Sequence, residues 1–274
     1  MLGAIAGDII GSVYEFNNCR RKDFEPLFHP AARYTDDTIC TVAVAHAILD
    51  GADPVTTLQD WCQRYWDKGS WGKRFIEWMF EDEPKPYGSF GNGGAMRVSA
   101  AAYLSGSFEQ AMDRAYAVTI ITHDHPEGLK GAYATTAAIW WSLNGYSADR
   151  IQAALLSEFG YRLDFDLAEL SRIYQRTEAS QDSVPQAIAC ALQAGGFEDA
   201  IRTAVSIGGD SDTIAAIAGS IAEARFGVPD QVAVQAWNLL PDEMQTLLRR
   251  AYMRVDEVRK SSRFSKRELQ KSES

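Results

Sequence analysis

Gly208-Gly209-Asp210-Ser211-Asp212-Thr213 runs without a break into Ile214-Ala215-Ala216-Ile217-Ala218-Gly219-Ser220-Ile221-Ala222. The second half is apolar on more than one face, the pattern of a helix buried inside a helical protein. Two carboxylates two residues apart, where a flexible glycine pair meets that helix, are costly to bury unless something positive compensates them. A second acidic group stands far upstream at a similar boundary, Tyr34-Thr35-Asp36-Asp37-Thr38, followed by the apolar run Ile39 to Leu49. Neither cluster contains a lysine or arginine. A hard divalent cation shared by both is the most economical compensation, and the rest of the chain reads as its scaffold.

The bulk composition sets bounds on partners. Of 274 residues 46% are apolar and 23% charged, an ordinary balance for a soluble domain. A net charge of -10 argues against a general nucleic-acid surface and against anionic membrane. Cys19, Cys40, Cys62 and Cys190 lack metal-finger spacing and read as reduced core thiols of a cytoplasmic protein. Asp8 interrupts the apolar start before a secretory signal could form, and nothing approaches an uncharged membrane span of about 20 residues.

Taken in order, the periodicity predicts helices almost throughout. Met1 to Phe16 is the first, with small residues at Gly3, Ala4, Ala6, Gly7, Gly11 and Ser12 that favour close packing. Asp8 and Glu15, seven residues apart, are expected on one face of it; the plain reading has one of them capping a neighbouring element. Asn17 to Tyr34, with Pro26 and Pro30, is a long loop expected to act as a mobile flap. Helices follow at Asp36 to Leu49, Thr56 to Tyr65, Phe108 to Thr122, His125 to Leu143, Ala148 to Phe159 and Asp166 to Tyr174. The set closes with one from Val184-Pro185 to Ala194, then Phe197 to Ser206, Pro229 to Trp237 and Pro241 to Val258. No segment alternates as strands do. The expectation is an all-α, compact single domain over 1–258, with a polar, flexible tail over 259–274.

Two further stretches carry chemistry. Gly88-Ser89-Phe90-Gly91-Asn92-Gly93-Gly94-Ala95-Met96-Arg97 combines glycines, Asn and a following helix, the parts of an anion-binding turn. It lacks the Lys-Ser/Thr pair of the phosphate-loop signature. Thr122-His123-Asp124-His125-Pro126-Glu127 places two imidazoles and two carboxylates in an interhelical turn, where they serve either as ligands or as hydrogen-bonded caps. No His-Glu-x-x-His is present, so a zinc hydrolase of that type is unsupported.

Together these residues resemble the ADP-ribosylglycohydrolase family, including its dinitrogenase reductase-activating and serine-type members. Four motifs carry the resemblance in order: Gly7-Asp8-Ile9-Ile10-Gly11-Ser12-Val13-Tyr14-Glu15, Thr35-Asp36-Asp37-Thr38, Gly91-Asn92-Gly93-Gly94-Ala95-Met96-Arg97, and Gly209-Asp210-Ser211-Asp212-Thr213. The resemblance implies a compact helical fold, two Mg2+ or Mn2+ ions, and cleavage of an ADP-ribosyl N- or O-glycosidic bond. By position, Thr35, Asp36, Asp37, Asp210, Asp212 and Thr213 match metal ligands. Glu15, Asp36 and Asp210 match the catalytic carboxylates. Phe90, Gly91, Asn92, Gly93, Gly94, Met96, His123 and His125 match the ligand-binding part. Glu223 departs from the small residue common there.

The implied partner is an ADP-ribosylated protein or a small-molecule ADP-ribose conjugate. Hard oxygen ligands suit magnesium or manganese, and metals then replace part of the work of the usual two-carboxylate glycosidase. Alternatives are a hydrolase of another ADP-ribose conjugate or a modified nucleobase, and a non-catalytic ADP-ribose-binding protein.

Overall fold

The computed structural model describes residues 1–272, with side chains described through Lys260. The fold is all-α. Its helices are α1 (Leu2–Gly11), α2 (Asp36–Asp50), α3 (Pro54–Arg64), α4 (Lys73–Met79), α5 (Gly93–Met96), α6 (Ser99–Tyr103), α7 (Phe108–Thr119) and α8 (Pro126–Leu143). They continue as α9 (Ala148–Phe159), α10 (Leu167–Ile173), α11 (Ser180–Gln193), α12 (Phe197–Ile207), α13 (Ser211–Phe226), α14 (Asp230–Asn238) and α15 (Asp242–Ser272). Among the described residues the only β-type pairing is an isolated bridge between Gly91 and Ala179. Over the tail expected at 259–274, α15 continues as far as Ser272, and residues 273–274 lie outside the described residues.

The helix read first from the sequence is the axis of the bundle. Every residue of α13 from Ser211 to Ala222 is buried, and α1, α8, α11 and α12 pack around it. The closest partner is α1, which runs antiparallel along it on glycines. A Cβ at Gly3 would lie 2.3 Å from the Gly219 carbonyl oxygen, one at Gly7 2.1 Å from that of Ala215, and one at Gly11 2.5 Å from the Asp212 Cα. The four-residue spacing keeps all three on one face. This contact delivers the end of α1 onto the acidic start of α13.

Glu223 explains itself at the far end of the same pair. Its carboxylate accepts from the Met1 amine at 2.5 Å, the Gly3 amide at 2.8 Å and the Tyr252 hydroxyl at 2.5 Å. A larger, acidic side chain therefore ties α13 to the unsatisfied N–H groups of α1 and to α15.

Several boundaries differ from expectation: α7 ends at Thr119 rather than Thr122, and α15 continues to Ser272 rather than Val258. α1 ends at Gly11 rather than Phe16. α11 begins at Ser180, with Pro185 inside it. Pro185 is the sixth residue of α11, so the carbonyl left without a donor is that of exposed Gln181, on the solvent side of the first turns.

The α1–α13 fit can be tested directly. Gly7→Ala forces a methyl group onto backbone atoms, and is expected to cost about 3 kcal/mol or more in urea unfolding, at or beyond the usual range for overpacking. Gly195→Ala, where an added Cβ meets nothing, should change stability by less than about 0.5 kcal/mol. Equal stability of the two variants would refute the tight contact.

Candidate metal and ligand site

The acidic residues converge because three helix ends meet. Gly208 and Gly209 both hold φ of 76°, a left-handed conformation that lets the chain reverse into α13. Asp210 is the N-cap of α13 and Asp212 lies in its first turn. Asn18 secures this reversal: its carbonyl accepts from the Gly209 amide at 2.8 Å, and its amide reaches the carbonyls of Gly209 at 2.9 Å and Tyr14 at 2.7 Å. The carbonyls at the end of α1 find donors close by: that of Asp8 accepts from the Ser12 amide at 2.8 Å, that of Ile9 from the Ser12 hydroxyl at 2.8 Å and that of Gly11 from the Tyr14 amide at 2.8 Å.

That early end corrects the expected pairing of Asp8 with Glu15. They do not share a helical face. Asp8 is fully buried and accepts from the Thr35 amide at 2.9 Å, the Thr35 hydroxyl at 2.6 Å, the Thr38 amide at 3.1 Å and the Thr38 hydroxyl. It caps α2, as the plain reading held for one of the pair, and so fixes Asp36 and Asp37 in that helix's first turn. Glu15, beyond the helix, turns to the start of α13. Glu15, Asp210 and Asp212 offer carboxylate oxygens that all lie within 4.8 Å of one another.

A cation was missing from the sequence reading. Arg176, from the segment between α10 and α11, donates to Glu15 at 2.8 Å and lies 3.7 Å from Asp210. Ser70 approaches from the opposite side, its amide 2.8 Å from Asp36 Oδ1 and its hydroxyl 3.3 Å from Glu15 Oε2. Neither position is signalled near the acidic motifs; the chain brings them from 55 and 161 residues away from Glu15.

One guanidinium does not neutralise the group. Burial, then its own aspartate neighbours, raises Asp37 and Asp212 well above the usual carboxylate range. Burial raises Asp36 to about 6 against the Ser70 hydrogen bond, and Asp210 to about 7 against the Asn92 hydrogen bond and the Arg176 charge. Asp37 Oδ1 is buried with no hydrogen-bond partner, while its Oδ2 accepts from the Thr213 hydroxyl at 3.1 Å. A buried, unpartnered carboxylate oxygen among like charges fits a hard cation. The donor chemistry agrees: the Thr35 and Thr213 hydroxyls give their protons to Asp8 and Asp37, and even Thr35, which also accepts from the Asp37 amide, keeps one lone pair.

These carboxylates line one side of a cavity of about 640 Å3, within the usual size of small-molecule sites. Phe90, Gly91, Asn92, Gly93 and Met96 form another wall, with His123 beside them. The wall is held by the segment after Arg176: the Asn92 amide donates to the Glu178 carbonyl at 2.7 Å and Ser180 to that of Phe90 at 2.9 Å. Asn92 also donates its side chain to Asp210 at 2.7 Å, joining the glycine loop to the acidic cluster. Gly94 lies behind the wall, where a Cβ would meet Thr119 at 2.9 Å. His125 does not line the cavity; it is the N-cap of α8, accepting from the Glu127 amide at 3.1 Å, with its ring against exposed Phe90. Thr35 likewise sits below the cavity rather than in its lining.

The flap expected at Asn17 to Tyr34 is tied down in this structure. Arg20 donates to the Ser171, Tyr174 and Ile207 carbonyls, and Arg202 to those of Lys22 and Phe24.

Residues 1–261 match the sequence profile of the ADP-ribosylglycohydrolase family. The chain belongs to that family. This makes it a glycohydrolase-type enzyme acting on ADP-ribose conjugates. It is 27% identical to human ADP-ribosylhydrolase ARH3, over 86% of each chain, and 26% identical to the mouse protein of that name over 83% of each. It is 24% identical to the ADP-ribosylarginine hydrolase Tri1 of Pseudomonas putida, covering 94% of this chain and 78% of the relative. A solved structure titled ADP-ribosylglycohydrolase-related protein complex superposes with a TM-score of 0.66 at 22% identity, covering 93% of this chain and 97% of the other. That likeness speaks to the fold. Among the described residues no helix is long and apolar enough to cross a membrane.

The raised aspartates set an unusual pH dependence for the metal-free glycohydrolase. Asp36 and Asp210 titrate near 6 and 7 when folded, against 3.8 for the free side chain. Between those limits the folded state holds protons that the unfolded chain has released, so stability falls as pH rises. Urea unfolding in EDTA should show a loss on the order of 2–4 kcal/mol from about pH 5 to about pH 8. Saturating Mg2+ or Mn2+ should flatten that decline. A metal-free protein that gains stability over the same interval would contradict the buried, uncompensated cluster.

Proposed function

We propose that the enzyme hydrolyses the glycosidic bond between ADP-ribose and a protein side chain or small acceptor, in the cytoplasm, through a single domain over 1–258. The observation that carries this reading is the convergence of the Glu15, Asp210 and Asp212 oxygens within 4.8 Å beside a cavity of about 640 Å3. Mg2+ or Mn2+, two ions by the resemblance, would be held by Asp36, Asp37, Asp210 and Asp212 with the hydroxyls of Thr35 and Thr213. Bound there, the cations would supply Lewis acidity toward substrate hydroxyls and water.

The protein's own groups divide the remaining work. Glu15, buried and held between Arg176 and Ser70, takes the proton from the water that attacks the anomeric carbon. Asp36 and Asp210 are kept in place by Ser70 and Asn92. The wall from Gly91 to Met96 receives the diphosphate and distal ribose, while Phe90, 50% exposed, offers a ring to the nucleotide. His123 faces the same space. The name of the Pseudomonas relative makes arginine-linked ADP-ribose the first acceptor to try.

The test is a substrate panel of arginine-, serine- and nucleobase-linked ADP-ribose and the polymer, each in Mg2+ and in EDTA. Release of ADP-ribose from at least one, lost in EDTA, is the expected result. Asp210→Asn keeps the contact to Asn92 but removes a charge, and should abolish metal retention. Glu15→Gln should lose about 10²-fold in turnover or more while still binding ADP-ribose. Tight binding of ADP-ribose without release from any conjugate would instead indicate a non-catalytic binding protein.

A further inference from the structure

Arg97 is one of the largest fully buried side chains, 1% exposed. Its Nη2 donates to the Val118 carbonyl at 3.0 Å and to the Thr122 hydroxyl oxygen at 2.7 Å. That same oxygen lies 2.7 Å from Nδ1 of His123. A guanidinium has no acceptor, so Thr122 must receive the hydrogen from Arg97 and has its own single hydrogen left to give. The nearest group able to accept it is His123 Nδ1. A ring nitrogen that accepts carries no proton, so the hydrogen of the neutral imidazole belongs on Nε2.

The reverse tautomer would leave the Thr122 hydroxyl hydrogen buried without a partner, which is unfavourable. The doubly protonated ring is opposed as well: burial, then the Arg97 charge, holds His123 well below the ordinary imidazole range. Among the described residues no group bonds Nε2. It borders Gly91 and Gly93, where an added Cβ would lie 3.7 and 3.1 Å from it, on the wall that lines the cavity. The small residues there leave the nitrogen open to a bound molecule.

We propose that Arg97, acting through Thr122, fixes His123 as the Nε2–H tautomer, so that the cavity wall presents a permanent N–H donor at this point and selects an acceptor oxygen in the ligand. Arg97 and Thr122 are positioning residues; His123 makes the contact. A fixed neutral donor suits a phosphate or ribose oxygen and leaves any ligand group that can only donate unpaired. The claim about the ligand rests on the ADP-ribose reading, whereas the tautomer is a property of the free protein.

The two are therefore tested separately. Long-range 15N–1H NMR of the imidazoles distinguishes the tautomers. The chain has four histidines, and His123→Gln assigns the signal. The free protein is expected to show one neutral His123 species protonated on Nε2, persisting at pH 6. Thr122→Val removes the hydroxyl at nearly constant volume and should move His123 to a mixture or to the Nδ1–H form. It should also weaken ADP-ribose binding about tenfold, as for loss of one hydrogen bond to a charged group, without changing Mn2+ affinity. Arg97→Lys should weaken the tautomer preference in the same direction. An Nδ1–H signal in the unmodified protein, or an unchanged tautomer in Thr122→Val, overturns the proposal even if Arg97 variants fail to fold. An Nε2–H signal in a protein that binds no ADP-ribose upholds the tautomer and refutes the ligand assignment.

Discussion

Charge is the constraint on which the site depends. Asp36, Asp37, Asp210, Asp212 and Glu15 bring five formal negative charges to one side of a cavity. Arg176 returns one. The N-termini of α2 and α13, where four of the five stand, add about half a charge each. Roughly three negative charges remain uncompensated. Protonation can remove them, and the raised pKa values of Asp36 and Asp210 are the mark of that solution. Divalent cations remove them at neutral pH: one leaves a small deficit and two a small excess, suited to an anionic ligand. At neutral pH the acidic cluster therefore favours a bound cation, and the helices around it are arranged to tolerate the charge rather than to relieve it.

Geometry follows from a backbone contact made possible by glycine. With α1 seated on α13 through Gly3, Gly7 and Gly11, two consequences reach the site together. Asp8, midway along α1, is in position to cap α2 and carry Asp36 and Asp37 with it. The chain leaving α1 turns beside Asp212 and presents Glu15. Each acidic motif is therefore placed by a helix end, and each helix end by α1. A side chain at Gly7 would disturb both clusters at once, although it touches neither.

The sequence made legible what local pattern controls. The buried character of α13 followed from apolar residues on all its faces, and the two acidic groups were visible because charges at the mouths of apolar helices are costly. The cap formed by Asp8 was one of two readings open to it. What stayed hidden was long-range. Arg176 sits in an unremarkable polar stretch, Ser70 in a short connection between helices, and Asn18 in what reads as free loop. Each matters only through a partner brought close by folding. The end of α1 departs from expectation for the same reason: Ser12 to Phe16 hold no helix breaker, and the turn they form instead is held by long-range contacts of Asn18 and Arg176 to the Tyr14 and Glu15 carbonyls. His123 and His125 look equivalent in sequence, yet one lines the cavity and the other caps α8, because Pro126 starts that helix immediately after His125.

The tethered state of Asn17 to Tyr34 bears on how the site receives a ligand. Arg20 and Arg202 bind its neighbours' carbonyls and its own, Phe24 is buried, and Asn18 holds the Gly209 turn. Opening it would break hydrogen bonds to charged groups, each worth about 1.5–3 kcal/mol. The opposite rim is held more lightly: among the described residues, Ser70 joins the Trp66–Phe75 stretch to the acidic cluster by two hydrogen bonds. Its Trp71 and Phe75 stack on each other at 5.5 Å and are only half-buried. A ligand would therefore displace the Ser70 side at less cost than the Asn18 side. Glu15 is paired with Arg176 of the α10–α11 connection at 2.8 Å as well as with Ser70 at 3.3 Å, so the carboxylate assigned to the proton does not depend on the Ser70 contact for its place.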